Sequence, residues 1–406
     1  MYDWLERAVL RAPDTVALDV VGERHLSYRE LREVAAAAAV QLRERAAGQG
    51  AVELRSAGAG FAAELHGALL AGLPALPIDP RLGPEELALR RLDGPLPYPG
   101  VATVMFTSGT TSAPKPVHLT LANWEANAIG SALALGLDRH ERWLCVMPLA
   151  HVGGLSILLR STLYATTVIL HERFDTEAVL RELMDPARAV TLVSLVPTML
   201  ARLLDAGLER PPALRWALLG GGPIPSPLLR RAQDAGVPVA PSYGMTEGCS
   251  QIATFGVPLH GVELRLEDGE VIARGPNFAA NTLDADGWLR TGDLGALDAD
   301  GRLRIVGRRS DTIVSGGENV APAEVEAVLL EHPAVLDAGV FPRPDPEWGE
   351  RVCAGVMLRE GCSVTAAELR AHVGARLAGF KVPKDIVFVD GLPRTASGKL
   401  LRRRLR

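Results

Sequence analysis

Lysine is nearly absent from this chain: of 43 basic side chains, only Lys115, Lys381, Lys384 and Lys399 are not arginine. A guanidinium is a broad planar fork and an ammonium a compact point charge on a flexible stem, so the two are not interchangeable in a tight space. Two of these lysines stand in unusual local sequences, Lys115 closing TSGTTSAPK and Lys399 closing RTASGK. Cysteine is scarce too. Cys145, Cys249, Cys353 and Cys362 have neither metal-ligand nor redox-motif spacing, which argues against a Cys/His metal site and suits a reduced, cytoplasmic setting. No run reaches the roughly 18 apolar residues that span a bilayer. The stretch MYDWLERAVLRAPD, with early acidic residues, is not expected to be a secretory signal. A formal net charge of −5 speaks against a general nucleic-acid or membrane binder, and the arginine-rich LRRRLR reads as a solvated tail or helix end.

What is present points to an α/β protein. With 406 residues, 48% of them hydrophobic, the chain has room for two to three domains and a large core. YRELREVAAAAAVQLRERAA reads as an amphipathic helix. From Val101 the pattern is a strand (VATVMF), a polar loop (TSGTTSAPKP) and a helix around Asn123–Leu135. Apolar runs at Trp143–Met147, Thr167–Leu170, Thr191–Val196 and Trp216–Leu219 follow, separated by helical segments, as in a parallel sheet. After Tyr243 short alternating runs are broken by EDGE and twice by DADG, which predict hairpin turns. Asp298–Gly301 lacks the spacing and distal Glu of a calcium loop. The expected fold is therefore a large N-terminal domain of parallel α/β sheets with a small β-rich part, residues 1–307. A small α+β C-terminal domain, residues 308–406, follows the junction GRRSD.

Five local sequences carry chemistry. Thr107, Ser108, Gly109, Thr110, Thr111, Ser112 and Lys115 supply hydroxyls, backbone donors and one charge, a set suited to cradling a polyphosphate, although the Walker order is missing. In SYGMTEGCS, Tyr243 offers a flat face to a base, Thr246 a hydroxyl and Glu247 a hard oxygen ligand for Mg²⁺. Asp293 in WLRTGD can accept hydrogen bonds from two ribose hydroxyls, though Asp after Gly also marks plain turns. GRRSDTIVSGGEN and RTASGK complete the set.

Taken in this order, the five resemble the signature of the adenylate-forming superfamily of acyl-CoA synthetases, peptide-synthetase adenylation domains and luciferases, over nearly the whole chain. A narrower stretch, PLAHVGGLSILLRSTLYATTVILHERFD with LLGGGPIP and VAPSYGMTEGCSQIAT, is similar to the o-succinylbenzoate–CoA ligases of menaquinone biosynthesis. Two positions depart from the family's TSGTTGxPKG: Ser112 and Pro116 stand where it has glycines, removing φ > 0 freedom and one backbone donor.

The resemblance implies two half-reactions with ATP, Mg²⁺ and CoA: a carboxylic acid is adenylated with loss of pyrophosphate, and the CoA thiol then displaces AMP. It implies that Lys399, Glu247 and Thr246 serve the phosphoryl step, with Glu247 on the metal. Tyr243 and Gly220, Gly221 and Gly222 frame the adenine and acyl end, and Asp293 and Arg308 hold the ribose. Ser310 and Asp311 form a hinge about which a mobile C-terminal domain presents Gly316, Gly317 and Glu318 to CoA. His151 either contacts the substrate or is structural. The free carboxylate of o-succinylbenzoate calls for a donor or cation, for which Arg160, with Ser156, Ser250 and Gln251, is the candidate; Arg160 could equally pair with an acidic surface neighbour. The alternatives are another aryl- or acyl-CoA ligase, an enzyme loading a carrier protein, and a non-catalytic nucleotide-binding homologue. The oligomeric state, a homodimer among the options, stays open.

Overall fold

The computed structural model describes residues 3–23, 25–46, 50–90, 92, 96, 99–107, 114–394 and 400–405. Parallel strands form the centre of the largest sheet, in the spatial order Val16–Val20, Thr167–Leu170, Arg142–Cys145, Leu192–Leu195, Trp216–Leu219 and Val239–Met245. Thr167–Leu170 and Leu192–Leu195 are buried at every position, as strands covered on both faces must be. Antiparallel strands close the edges, Ser250–Thr254 and Val257–Pro258 on one side and His25–Ser27 on the other. The α/β class expected from the alternation of runs is the class observed.

The alanine run has a packing reason. Ser27 and Glu30 form a capping box that starts the helix Tyr28–Arg45, and Leu31, Ala35, Ala39 and Leu42 lie on its buried face. A Cβ on Gly67, in the helix Gly58–Ala71, would lie 2.8 Å from the Ala35 carbonyl and 2.9 Å from the Ala38 Cβ. Small residues on both helices permit that approach, and anything larger at Gly67 would force them apart.

One local expectation is corrected. The polar loop after Val101–Thr107 does not lead directly into a helix. Lys115–Thr120 returns as an antiparallel strand at the edge of a second sheet with Val52–Leu54 and Ala75–Pro77, and the helix Leu121–Leu135 begins only after it. Thr120 and Asn123 cap that helix reciprocally.

By backbone proximity the chain falls into two units, Met1–Gly220 with Ala235–Glu263 and Ala273–Leu289, and Gly221–Asp234 with Leu264–Ile272 and Arg290–Arg406. In the second unit, Ile313, Val325, Leu329, Val340, Val352 and Leu369 belong to a separate hydrophobic core. The tail is fixed to the strand Val335–Asp345 and to the helix Pro322–Leu329. Arg394 pairs with Asp337 at 2.7 Å, Arg402 grips both Glu326 oxygens at 2.8 and 2.6 Å, and the Leu401 N–H donates to the Pro393 carbonyl at 2.8 Å. Burial raises the Glu326 carboxyl above its usual range, and Arg402 opposes that shift. Among the described residues no helix is long and apolar enough to cross a membrane.

Candidate active site

The motif SYGMTEGCS folds as a hairpin. Tyr243 pairs with Ala253 and Met245 with Ser250, which leaves Thr246, Glu247, Gly248 and Cys249 as the turn. A Cβ on Gly244 would run into the Ser250 carbonyl, so only glycine fits there. Cys249 and Ser250 carry positive φ values of 58° and 95°, an unfavourable backbone that surrounding contacts must hold. They do so through carbonyls. The Asn277 amide donates to the Gly248 carbonyl at 2.9 Å, the Asn127 amide to the Gln251 carbonyl at 2.8 Å, and the Ala279 N–H to the Glu247 carbonyl at 2.9 Å. Thr246 and Glu247 thus stand, partly exposed, on a fixed turn.

Ser156 and Arg160 lie four residues apart on the buried face of the helix Val152–Tyr164. The Ser156 hydroxyl donates to the Gly153 carbonyl at 3.1 Å and lies 3.5 Å from the Ser250 hydroxyl. Arg160 is only 2% exposed, so it is no surface residue. Its guanidinium donates to the Asn127 carboxamide oxygen and stacks 5.7 Å from the Trp143 ring centre, while its Nε–H has no partner. Among the described residues no carboxylate pairs with it. Burial pulls its pKa below the usual value, opposed by the neighbouring Tyr164 hydroxyl and Cys249 thiol. Gln251 is buried nearby; its amide nitrogen is taken by Thr254 at 2.8 Å and its oxygen has no partner. The structure therefore brings Arg160 and Ser250 to the same neighbourhood as the Thr246–Glu247 turn.

His151 sits at the N-terminal end of the same helix, with Nε2 3.7 Å from an Asp79 oxygen. Asp79 is held by a two-pronged contact from Arg81 at 2.8 and 2.7 Å. Burial lowers the His151 pKa, with the Asp79 charge opposing that shift.

Thr107 and Lys115 face one another across the hairpin that closes the polar loop. Ser108, Gly109, Thr110, Thr111 and Ser112 lie outside the described residues. Pro116 is accommodated by its place in the sheet. Its carbonyl accepts from the Asn281 amide at 2.9 Å, and the His118 N–H donates to the Asn281 oxygen at 3.0 Å. Residues 116 and 118 thus direct their backbone groups to the open edge, where a proline forfeits no ladder bond. The double change Ser112→Gly, Pro116→Gly should accordingly alter ATP affinity by less than ~0.5 kcal/mol, the range of a change that removes no special feature. Calorimetric titration checks this, and clearly tighter binding would mark the natural loop as impaired.

Gly220 ends the strand Trp216–Leu219, where a Cβ would lie 2.9 Å from the Ser242 carbonyl. Gly221 follows with φ of 79°, and Gly222 has open space around it. In the second unit, Asp293 is buried and accepts from the Arg308 Nε–H at 2.7 Å across paired strands. Ser310 and Asp311 form a short 3₁₀ turn, and Asp311 accepts from Arg402 at 3.2 Å. Gly316 and Gly317, with φ of 61° and 84°, make the turn before Glu318. A side chain on Gly316 would meet the Trp348 ring at 2.6 Å. Lys399 lies outside the described residues, with both of its flanks anchored as above.

Sequence reading missed Asn127, Asn277 and Asn281. The available signal was weak: Asn123 and Asn127 put amides at i, i+4 on the buried side of a mostly apolar helix, where a polar group needs a partner.

A model of the AMP-binding enzyme family matches residues 96–280, and a model of the AMP-binding enzyme C-terminal domain matches residues 324–399. The chain is 44% identical over 336 residues to a 2-succinylbenzoate–CoA ligase of Bacillus subtilis strain 168, an alignment covering 75% of this chain and 68% of that protein. The structure of o-succinylbenzoate CoA synthetase from Bacillus subtilis in complex with the acyl-adenylate intermediate OSB-AMP superposes with a TM-score of 0.89 at 35% identity, covering 100% of this chain and 98% of that one. The complex of the Bacillus subtilis synthetase with ATP and magnesium ion gives 0.87 at 34%, covering 99% of each chain.

Proposed function

The chain belongs to the AMP-binding, adenylate-forming enzyme family, and from that premise we propose that it is an acid–thiol ligase converting o-succinylbenzoate to o-succinylbenzoyl-CoA through an acyl-adenylate. The resemblance places this step in menaquinone biosynthesis. In the first half-reaction a carboxylate oxygen forms a bond to the α-phosphorus of ATP as the bond to pyrophosphate breaks. A carboxylate is already ionised at neutral pH, so no general base is needed. The demand is for alignment and for neutralising charge on the phosphoryl oxygens. In this reading Thr107, Lys115 and the loop between them hold the β- and γ-phosphates, Thr246 the α-phosphate, and Lys399 the charge that develops in the transition state. Tyr243 and Gly220–Gly222 frame the adenine and acyl end, and Asp293 with Arg308 receives the ribose.

Glu247 suits a magnesium ion that arrives with the nucleotide. Among the described residues no group of three or more His, Cys, Asp or Glu side chains could hold a metal ion by itself. One carboxylate on a fixed turn, completed by phosphate oxygens and water, is the donor set that Mg²⁺ takes. When bound, the ion withdraws charge from the phosphate oxygens.

In the second half-reaction the CoA sulfur bonds to the acyl carbon, AMP leaves with the bonding electrons, and the thiol proton goes to solvent. Residues 308–406, with their own core, are the mobile domain of this reading. Rotation about Ser310–Asp311 withdraws Lys399 and brings Gly316, Gly317 and Glu318 to the thiol.

The single observation that carries the substrate is the buried guanidinium of Arg160 beside Ser156 and Ser250, with no carboxylate paired to it among the described residues. A buried cation without a counter-charge is costly, and the carboxylate of o-succinylbenzoate that is not activated supplies one. Mass spectrometry of a reaction with this acid, ATP, Mg²⁺ and CoA should show the thioester with stoichiometric AMP. Formation of ADP, or no thioester, contradicts the proposal.

A further inference from the structure

We propose that Asn127 is a positioning residue that couples recognition of the acid's unactivated carboxylate to the turn carrying Thr246 and Glu247. The inference rests on the reading of Arg160 above. Asn127 is 1% exposed and uses both ends of its carboxamide. Its oxygen accepts from the Arg160 guanidinium. Its nitrogen donates to the Gln251 carbonyl at 2.8 Å and, more weakly, to the Gly248 carbonyl at 3.4 Å. The orientation is unambiguous, because a guanidinium only donates and a carbonyl only accepts. Gly248 and Gln251 bracket Cys249 and Ser250, whose positive φ values need support from outside the hairpin.

One planar group thus fixes the distance between the cation and the turn. Asn127 occupies a single guanidinium nitrogen and leaves the Arg160 Nε–H without a partner. A carboxylate drawn to Arg160 therefore meets a donor whose direction is set by the element that also holds the phosphate-side turn. The neutral amide is required at this place. An aspartate would cancel the cation that the substrate must meet and set a negative charge against two carbonyl oxygens. An alanine would release both partners. Asn277 holds the Gly248 carbonyl and, at 3.3 Å, the Gln251 carbonyl, and the Ala279 N–H holds the Glu247 carbonyl, so loss of Asn127 cuts the link to Arg160 while the turn keeps its other supports.

The test compares kcat/KM for pyrophosphate release with o-succinylbenzoate against the better of its two monocarboxylic analogues, each lacking one carboxylate. Asn127→Asp should collapse that preference by about 10²-fold, the scale on which a buried cation gains or loses its counter-charge. Asn127→Ala should lower it less, and adding Arg160→Met to Asn127→Ala should leave it no lower than Arg160→Met alone, since the two share one contact. If Asn127→Asp weakens both acids equally while Arg160→Met is selective, Asn127 is merely structural and the inference falls alone. Should Arg160→Met leave the preference unchanged, the reading of Arg160 and this inference fall together. If Asn127→Asp does not fold, Asn127→Ser carries the same comparison, with selective loss of the dicarboxylate expected and equal loss overturning the inference.

Discussion

Replacing Lys399 by Ala is expected to cut acyl-adenylate formation by about 10²–10³-fold, the cost of one preorganised donor aimed at charge that develops in the transition state. Thioester formation from preformed acyl-adenylate should survive, because in the proposed scheme of a rotating C-terminal domain that step uses Gly316–Glu318. Single-turnover assays of each half-reaction separate the two, and equal loss in both would contradict the scheme. The described residues that flank Lys399 are anchored. Arg394, which opens RTASGK, and Arg402, beyond its end, are tied to Asp337 and Glu326, and a Cβ on Gly339 would meet Leu400 at 3.0 Å and Leu405 at 2.9 Å. Lys399→Arg should fail as well. This chain uses arginine almost everywhere, so keeping lysine here fits a closed site that takes a point charge and not a fork.

Arg160→Met is expected to raise KM for o-succinylbenzoate by about 10²–10³-fold. Leaving one partner of a buried charge pair alone costs roughly 3–5 kcal/mol, and here the stranded partner is the substrate's carboxylate. Methionine keeps the reach and the contact with Trp143 while removing the charge. A monocarboxylic analogue should be nearly unaffected, because the cation has nothing to match. Steady-state kinetics with both acids checks this. If the dicarboxylate is preferred but the variant is silent, the carboxylate is held elsewhere, with Ser156, Ser250 and Gln251 the next residues to change.

The parts of this site visible in the sequence are those whose chemistry needs particular residues in unbroken order. Thr246 and Glu247 share one tight turn, and Gly244 and Gly316 stand where a Cβ would strike the Ser250 carbonyl and the Trp348 ring. Alternation of apolar runs with helical segments likewise made the α/β class legible, down to the bounds of Thr167–Leu170 and Trp216–Leu219. The strand Lys115–Thr120 was not legible, since proline argues against a central strand and only the sheet order shows this one to be an edge. Asn127 was hidden for another reason. Its carbonyl partner at Gln251 is 124 residues away, and an amide in a helix does not announce what it will hold. The environment of Arg160 depended on the same long-range packing: its arginine identity was plain, its burial against Asn127 and Trp143 was not.

The central claim, adenylation of o-succinylbenzoate, is tested most directly by acid-dependent exchange of labelled pyrophosphate into ATP in the absence of CoA. The account predicts rapid exchange with o-succinylbenzoate and far slower exchange with benzoate and medium-chain fatty acids. Absence of exchange with every acid would contradict the claim that this chain forms acyl-adenylates, and a preference for monocarboxylic acids would contradict the substrate assigned to it.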